Sequence, residues 1–289
     1  MTRVTLCSAK GSPGVTTLSC VLGAVWPAER GVVVAECDPS GGDLAGRFQL
    51  SVQVGMTSLI LVERQRAMRP VDHMAHAQQL PGGLDVLIGP AGADSAMSLD
   101  HELGISSSTV VSSDCDLLAD CGRLLPGAVG QEKMIRSADE VLLLVRPDVA
   151  GIAHARWAAS KMRELSPSAA SVVIFGTGPY QPAEVAGELD LAILGVVPID
   201  HRAAQMAGGM PGSGKEFSRS ALVRFAREIV VGLLERIPTT AVPDVAINTA
   251  SSVRADDDRR RITRRLRPVP PAMRTSPPQQ EEQTRAHFS

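Results

Sequence analysis

The sequence predicts an α/β protein built on a mostly parallel, twisted β-sheet with helices on both faces. Three observations carry this. Short runs that are apolar throughout, such as Val4 to Cys7, Val32 to Ala35 and Val141 to Val145, alternate with helical patterns. Strands apolar on both sides belong to parallel sheets covered on both faces. A glycine-bearing loop, Lys10-Gly11-Ser12-Pro13-Gly14-Val15-Thr16-Thr17, joins the first run to the first helical pattern, and acids follow two of the apolar runs, at Glu36 to Asp38 and at Asp120.

The two loop glycines let the backbone curl so that successive amides point at an anion, and a helix opening at Thr16 adds a favourable dipole. The full phosphate-loop pattern G-x-x-x-x-G-K-[ST] places a lysine before that threonine, where this chain has Val15. The plain alternative is a glycine turn between a strand and a helix. The stretch resembles the deviant loop K-G-G-x-G-K-T-[ST] of the ParA and MinD family of P-loop ATPases, matching it at Lys10, Gly11, Gly14, Thr16 and Thr17 and departing from it at Ser12 and Val15. The resemblance implies that residues 11 to 17 bind nucleotide, that the Thr16 hydroxyl holds Mg2+, and that Lys10 reaches across a nucleotide-sandwich dimer as a catalytic residue.

A first helix is expected from Thr16 to Glu29, since Leu18, Val21, Leu22 and Val25 recur at helical spacing and Gly31 follows. After the second strand, Glu36-Cys37-Asp38-Pro39 resembles the family's D-x-D-P stretch. That resemblance makes Asp38 the residue orienting the attacking water and puts Glu36 near the metal; a Pro-Gly turn with acidic caps is the alternative. Leu59, Ile60, Val62 and Met68 fit one helix, broken by Pro70. Leu84 to Ile88 forms a further strand and looks like the CpaE and TadZ branch of the family. Leu117-Leu118-Ala119-Asp120 resembles the family's Walker B segment, with Asp120 contacting magnesium through water at a strand tip.

Val141 to Val145 and a helix from Val149 to Leu165 come next, the latter carrying His154 without a metal-ligand pattern. Beyond the strand Ser171 to Phe175, Thr177 stands where the family carries a base-reading asparagine. Leu194 to Asp200 resembles the family stretch that lines the base, through Pro198. Gly208 to Lys215 lacks the order of a second phosphate loop and reads as a connection. A final helix is expected from about Phe217 to Ile237.

Residues 1–237 are thus expected to form one ParA/MinD-like P-loop NTPase domain, and residues 238–289 a disordered Pro/Arg-rich tail. The segment Arg254 to Arg267 holds seven arginines and three aspartates, a cluster suited to nucleic acid or an acidic membrane surface, with a solvated tether as the plainer reading. The net charge of −2 and the five cysteines without C-x-x-C spacing suit a cytoplasmic protein with reduced thiols, peripheral to the nucleoid or inner membrane face if the tail attaches it. With only 3% aromatic residues, few are available for base stacking on single strands. No transmembrane segment is expected.

The family resemblance implies a switch that dimerises on ATP and Mg2+, with a protein partner that stimulates or localises it. Plasmids or chromosomes, division sites, and pilus or secretion machinery are the cargoes it leaves open. Val15 leaves ATP hydrolysis weak or absent, and the second reading is a non-hydrolysing scaffold that binds protein partners.

Overall fold

A computed structural model describes residues 1–10, 14–66, 72–106, 115–166 and 169–237. Gly11, Ser12 and Pro13 lie outside the described residues, as do Met68, Pro70, Asp114 and the tail 238–289. β1 (Arg3–Ser8) leads to α1 (Val15–Ala24), and β2 (Val32–Glu36) to a short α2 (Leu44–Phe48) and to α3 (Met56–Arg66). A two-residue strand β3 (Gln78–Gln79) turns back into β4 (Asp85–Leu87), followed by α4 (Ala93–Ile105), β5 (Asp116–Arg123) and α5 (Val129–Arg136). β6 (Glu140–Val145), α6 (Val149–Leu165), β7 (Ala170–Phe175), α7 (Pro182–Leu189) and β8 (Ala192–Val197) continue the alternation. α8 (His201–Ala207), α9 (Gly214–Ser218) and α10 (Ala221–Arg236) complete it.

Among the described residues the strands form one eight-stranded sheet in the order β3-β4-β2-β5-β1-β6-β7-β8. Every pairing is parallel except β3 with β4 at one edge. Because successive side chains of a strand point to opposite faces, the continuous apolar strands feed two clusters. Val33, Ala35, Leu117, Ala119 and Leu143 pack under α3 to α7, whereas Val4, Leu6, Val34, Leu118 and Leu142 pack under α1, α8 and α10. Each fully buried Leu, Ile or Val side chain contributes about 1.5–3 kcal/mol, so both faces are needed. No helix among the described residues is long and apolar enough to cross a membrane.

Two helix boundaries differ from expectation. α1 ends at Ala24, where Val25 and Trp26 close tighter bonds to Leu22 and Gly23 ahead of Pro27, which cannot continue a helix. The final helix is split: the Ser220 hydroxyl accepts from the Val223 amide at 3.2 Å and Asp200 accepts from the Ala221 amide at 3.1 Å, so a new N-terminus begins there. Helices α2, α4, α5, α7 and α8 have no counterpart in the sequence expectations, although α4 buries Ala96, Leu99 and Leu103 at helical spacing. His154 is exposed on α6.

The N-terminal edge of the sheet is tied at Asp116. Its buried carboxylate accepts from the Thr2 amide, from Trp26 Nε1 at 2.8 Å and from Arg30 Nε at 2.6 Å, joining β1, β5 and the end of α1. Removing one partner of a buried pair strands the other. Asp116→Ala is therefore expected to cost about 3 kcal/mol of stability in urea unfolding. A loss below about 1 kcal/mol would mean that water replaces the carboxylate there.

Candidate nucleotide site

The site lies at the C-terminal ends of β1, β2 and β5. Ser8, at the end of β1, places its hydroxyl 3.2 Å from the carbonyls of both Lys10 and Gly122, and Lys10 itself is exposed. Gly14 has φ +84°, the left-handed conformation that favours glycine, and hands the chain to α1. The first-turn amides of α1 lack intrahelical acceptors, and no side chain caps them. The helix therefore presents open N–H groups of the kind that bind anions.

Thr16 and Thr17 diverge from this turn. The Thr16 side chain lies beside the Asp120 carboxylate and favours its charged form, whereas Thr17 lines an adjacent cleft. Val15, in the position of the family's lysine, is 5% exposed and belongs to the apolar cluster under α1.

Asp120 does not stand at a strand tip as expected. β5 runs on to Arg123, so Asp120 lies within it, in register with Leu6 of β1 and Glu36 of β2, and is buried. The strand bends just beyond it, at Gly122, with φ +52°. A Cβ on Gly122 would come 1.7 Å from Asp38 Oδ2, so glycine is the residue that lets Asp38 approach. Gln131 holds this bend: its Nε2 donates to the carbonyls of Cys121 at 2.6 Å and Arg123 at 2.8 Å, while its Oε1 accepts from the Leu125 amide at 2.9 Å. No sequence pattern marks Gln131, because its partners are reached only after α5 folds back on β5.

Glu36 has a duty that the sequence did not reveal. Its Oε1 accepts from the amides of Asp43 at 2.8 Å and Leu44 at 2.9 Å, and its Oε2 from the Gly89 amide at 3.0 Å. The carboxylate clasps β2 to the start of α2 and to the segment after β4. Asp38 is half-buried; its carboxylate accepts from the Ser40 amide at 2.7 Å, and the nearby Arg123 amide favours its charged form.

Burial pushes all three acids upward in pKa. Glu36 and Asp38 are raised against the lowering effect of their amide donors. Asp120 is pushed up to about 7, first by burial and then by the Glu36 and Asp38 charges, with Thr16 pulling it down. Arg47, nearby, pairs with Asp43 at 2.6 Å. Asp120 and Asp38 lie beside an uncapped helix N-terminus, although among the described residues no group of three acids, histidines or cysteines is placed to hold a metal ion.

The adjacent cleft has a volume of about 370 Å³ and runs from Gly14 and Thr17 to Phe175, Thr177, Pro198 and Ile199. The sequence-predicted Thr177 and Pro198 thus share one wall region with the end of the phosphate loop. Arg146 places its guanidinium 5.6 Å from the centre of the Phe175 ring, a cation–π contact that the sequence did not suggest.

Asp120, neutral up to about 7 in the fold against an ordinary value of 3.8, stabilises the protein most below the ordinary value. That contribution is lost as pH rises through about 7. The melting temperature is expected to lose this contribution between about pH 4 and about pH 7 and to level off above, less so in Asp120→Asn, with millimolar Mg2+ restoring wild type mainly at the upper end. Equal slopes for the two proteins in a calorimetric pH series would contradict this.

The sequence matches no protein-family model and no curated protein. Solved structures do resemble it. The cell-division ATPase MinD of Pyrococcus furiosus superposes with a TM-score of 0.63 at 17% identity over 81% of this chain and 99% of that one. A ParA-family ATPase of Chlorobium tepidum gives 0.61 at 16% identity over 81% and 98%. The septum site-determining protein MinD of Pyrococcus horikoshii, complexed with Mg-ADP, gives 0.60 at 17% over 83% and 100%. The eight-stranded, mostly parallel sheet with its helical layers is the fold of the ParA and MinD ATPases.

Proposed function

We propose that this chain is an ATP-binding protein that works as a nucleotide-dependent dimeric switch in intracellular positioning or partitioning, with slow hydrolysis. The observation that supports it most is the first-turn Thr16 side chain set against the buried Asp120, beside helix amides left open for an anion. In this reading Thr16 and Asp120, the latter through water, hold Mg2+, which neutralises charge on the phosphates. Residues 11 to 17 cradle those phosphates. Glu36 supports the corner through its amide clasp, and Asp38, held by the Ser40 amide, orients the attacking water. Lys10, exposed at the end of β1, acts across the dimer on the other subunit's nucleotide. The protein is read as cytoplasmic, with a protein partner that stimulates or localises it, and with Arg254 to Arg267 as its contact to nucleic acid or an acidic membrane.

One observation favours a second reading, a pseudo-ATPase scaffold: Val15 is packed in the core. Loss of one charge-assisted hydrogen bond costs about 1.5–3 kcal/mol, or roughly ten- to a hundredfold in nucleotide affinity. Its absence from a transition state slows hydrolysis further.

Titration with MgATP and MgADP, followed by calorimetry and light scattering, separates the two readings. The switch requires an ATP-specific rise to dimer mass, lost in Lys10→Ala while nucleotide still binds. No heat at millimolar nucleotide, with mass unchanged, would leave the scaffold.

A further inference from the structure

We infer that Cys115 and His73 form a reactive thiol–imidazole pair, a modification site at the opposite end of the sheet from the nucleotide corner, where Cys115 exchanges with small-molecule disulfides. The two residues are 42 apart in sequence, yet His73 Nε2 lies 3.2 Å from Cys115 Sγ. His73 is 4% exposed, whereas Cys115 is half-buried. The imidazole is thus shielded from water while the cysteine keeps contact with it, the arrangement of a base set behind its nucleophile.

Both partners are held in place. His73 opens a short 3-10 turn, His73–His76, which the Asp72 carboxylate caps by accepting from the Met74 amide at 3.0 Å, and His76 Nδ1 and the Ser58 hydroxyl, 2.8 Å apart, tie it to α3. Cys115 immediately precedes β5, where Asp116 is locked by Thr2, Trp26 and Arg30 and donates its own amide to the Gly31 carbonyl at 3.1 Å. A Cβ on the exposed Gly31 would lie 3.5 Å from the Cys115 Cβ, so glycine there leaves space beside the cysteine for an incoming group.

The other four thiols differ in kind. Cys7, Cys20, Cys37 and Cys121 are buried in the apolar clusters, where burial pushes Cys7 and Cys20 up to about 12 and raises Cys37 and Cys121 as well. Thiols in such surroundings are inert. None of the five cysteines, all within the described residues, forms a disulfide. Cys121 lies six residues further along the same strand, about 20 Å away at the usual rise per residue. Cys7 and Cys37 stand at that same far end, and Cys20 packs on the other face of the sheet. The product at Cys115 is therefore a mixed disulfide. His73 Nε2 takes the Cys115 proton as its sulfur attacks one sulfur of the reagent; the reagent S–S bond breaks, the new S–S bond forms, and the departing sulfur leaves as a thiol with the proton from His73.

Reaction of the full chain with dithiodipyridine at about pH 7, where an ordinary thiol is only about 3% ionised, tests this through release of thiopyridone and peptide mass mapping. One fast equivalent is expected, located at Cys115 and reacting about tenfold faster than glutathione under the same conditions. Cys115→Ser is expected to remove the fast phase. His73→Gln, or His73→Asn where that chain does not fold, is expected to slow it about tenfold with the circular dichroism unchanged. A Cys115 no faster than glutathione in the wild-type chain would overturn the inference without recourse to any variant, and so would an unchanged rate in a folded His73 variant. No nucleotide is present in the assay, so neither outcome bears on the nucleotide reading.

Discussion

The site depends on two buried carboxylates held in register on adjacent strands, Glu36 on β2 and Asp120 on β5. Burying like charges side by side is costly unless each is hydrogen-bonded or neutralised. The fold meets this in two different ways. Glu36 receives three backbone amides and becomes a brace. Asp120 accepts from the Gly122 amide at 3.1 Å with the Thr16 side chain beside it, and burial raises its pKa. Asp120 lies where the helix dipole of α1 favours an anion, and in the proposed function a magnesium ion and phosphate meet there.

The rest of the architecture keeps that corner rigid. The bend at Gly122 allows Asp38 close in, Gln131 holds the bend, and the Gln131 amide donates to Asp100 of α4 at 2.9 Å. The α4–α5 pair is thereby linked to the same strand end that carries Asp120. At the far edge of the sheet, Asp116 locks β1, β5 and α1, so the phosphate-loop helix is fixed at its C-terminal end while its N-terminus stays open.

Val15 changes the balance of the site without changing its frame. A valine at the first helical position extends the core under α1 and removes the charge that a lysine there supplies. The remaining polar groups still converge: Thr16 reaches Asp120, Thr17 faces the cleft, and the cleft joins the phosphate end to Pro198. Frame and charge are separable, which is why fold and activity are separate questions for this chain.

The sequence by itself determined the alternating apolar runs, hence the two-faced parallel sheet, and the order of loop, Asp38, Asp120 and Pro198 along the chain. These are local signals, set by side-chain periodicity of about 2 and about 3.6 residues and by turn residues. It also marked Thr177 and Pro198 through motif order. Only the tertiary structure decided which way groups face once distant segments meet. Glu36 turns to amides seven, eight and 53 residues onward; the last helix breaks where Asp200, 21 residues earlier, offers an acceptor; and Arg146 settles over Phe175 from a neighbouring strand end. A hydrogen bond or a stacked ring depends on three-dimensional approach, and sheet register creates that approach between residues that no local pattern connects.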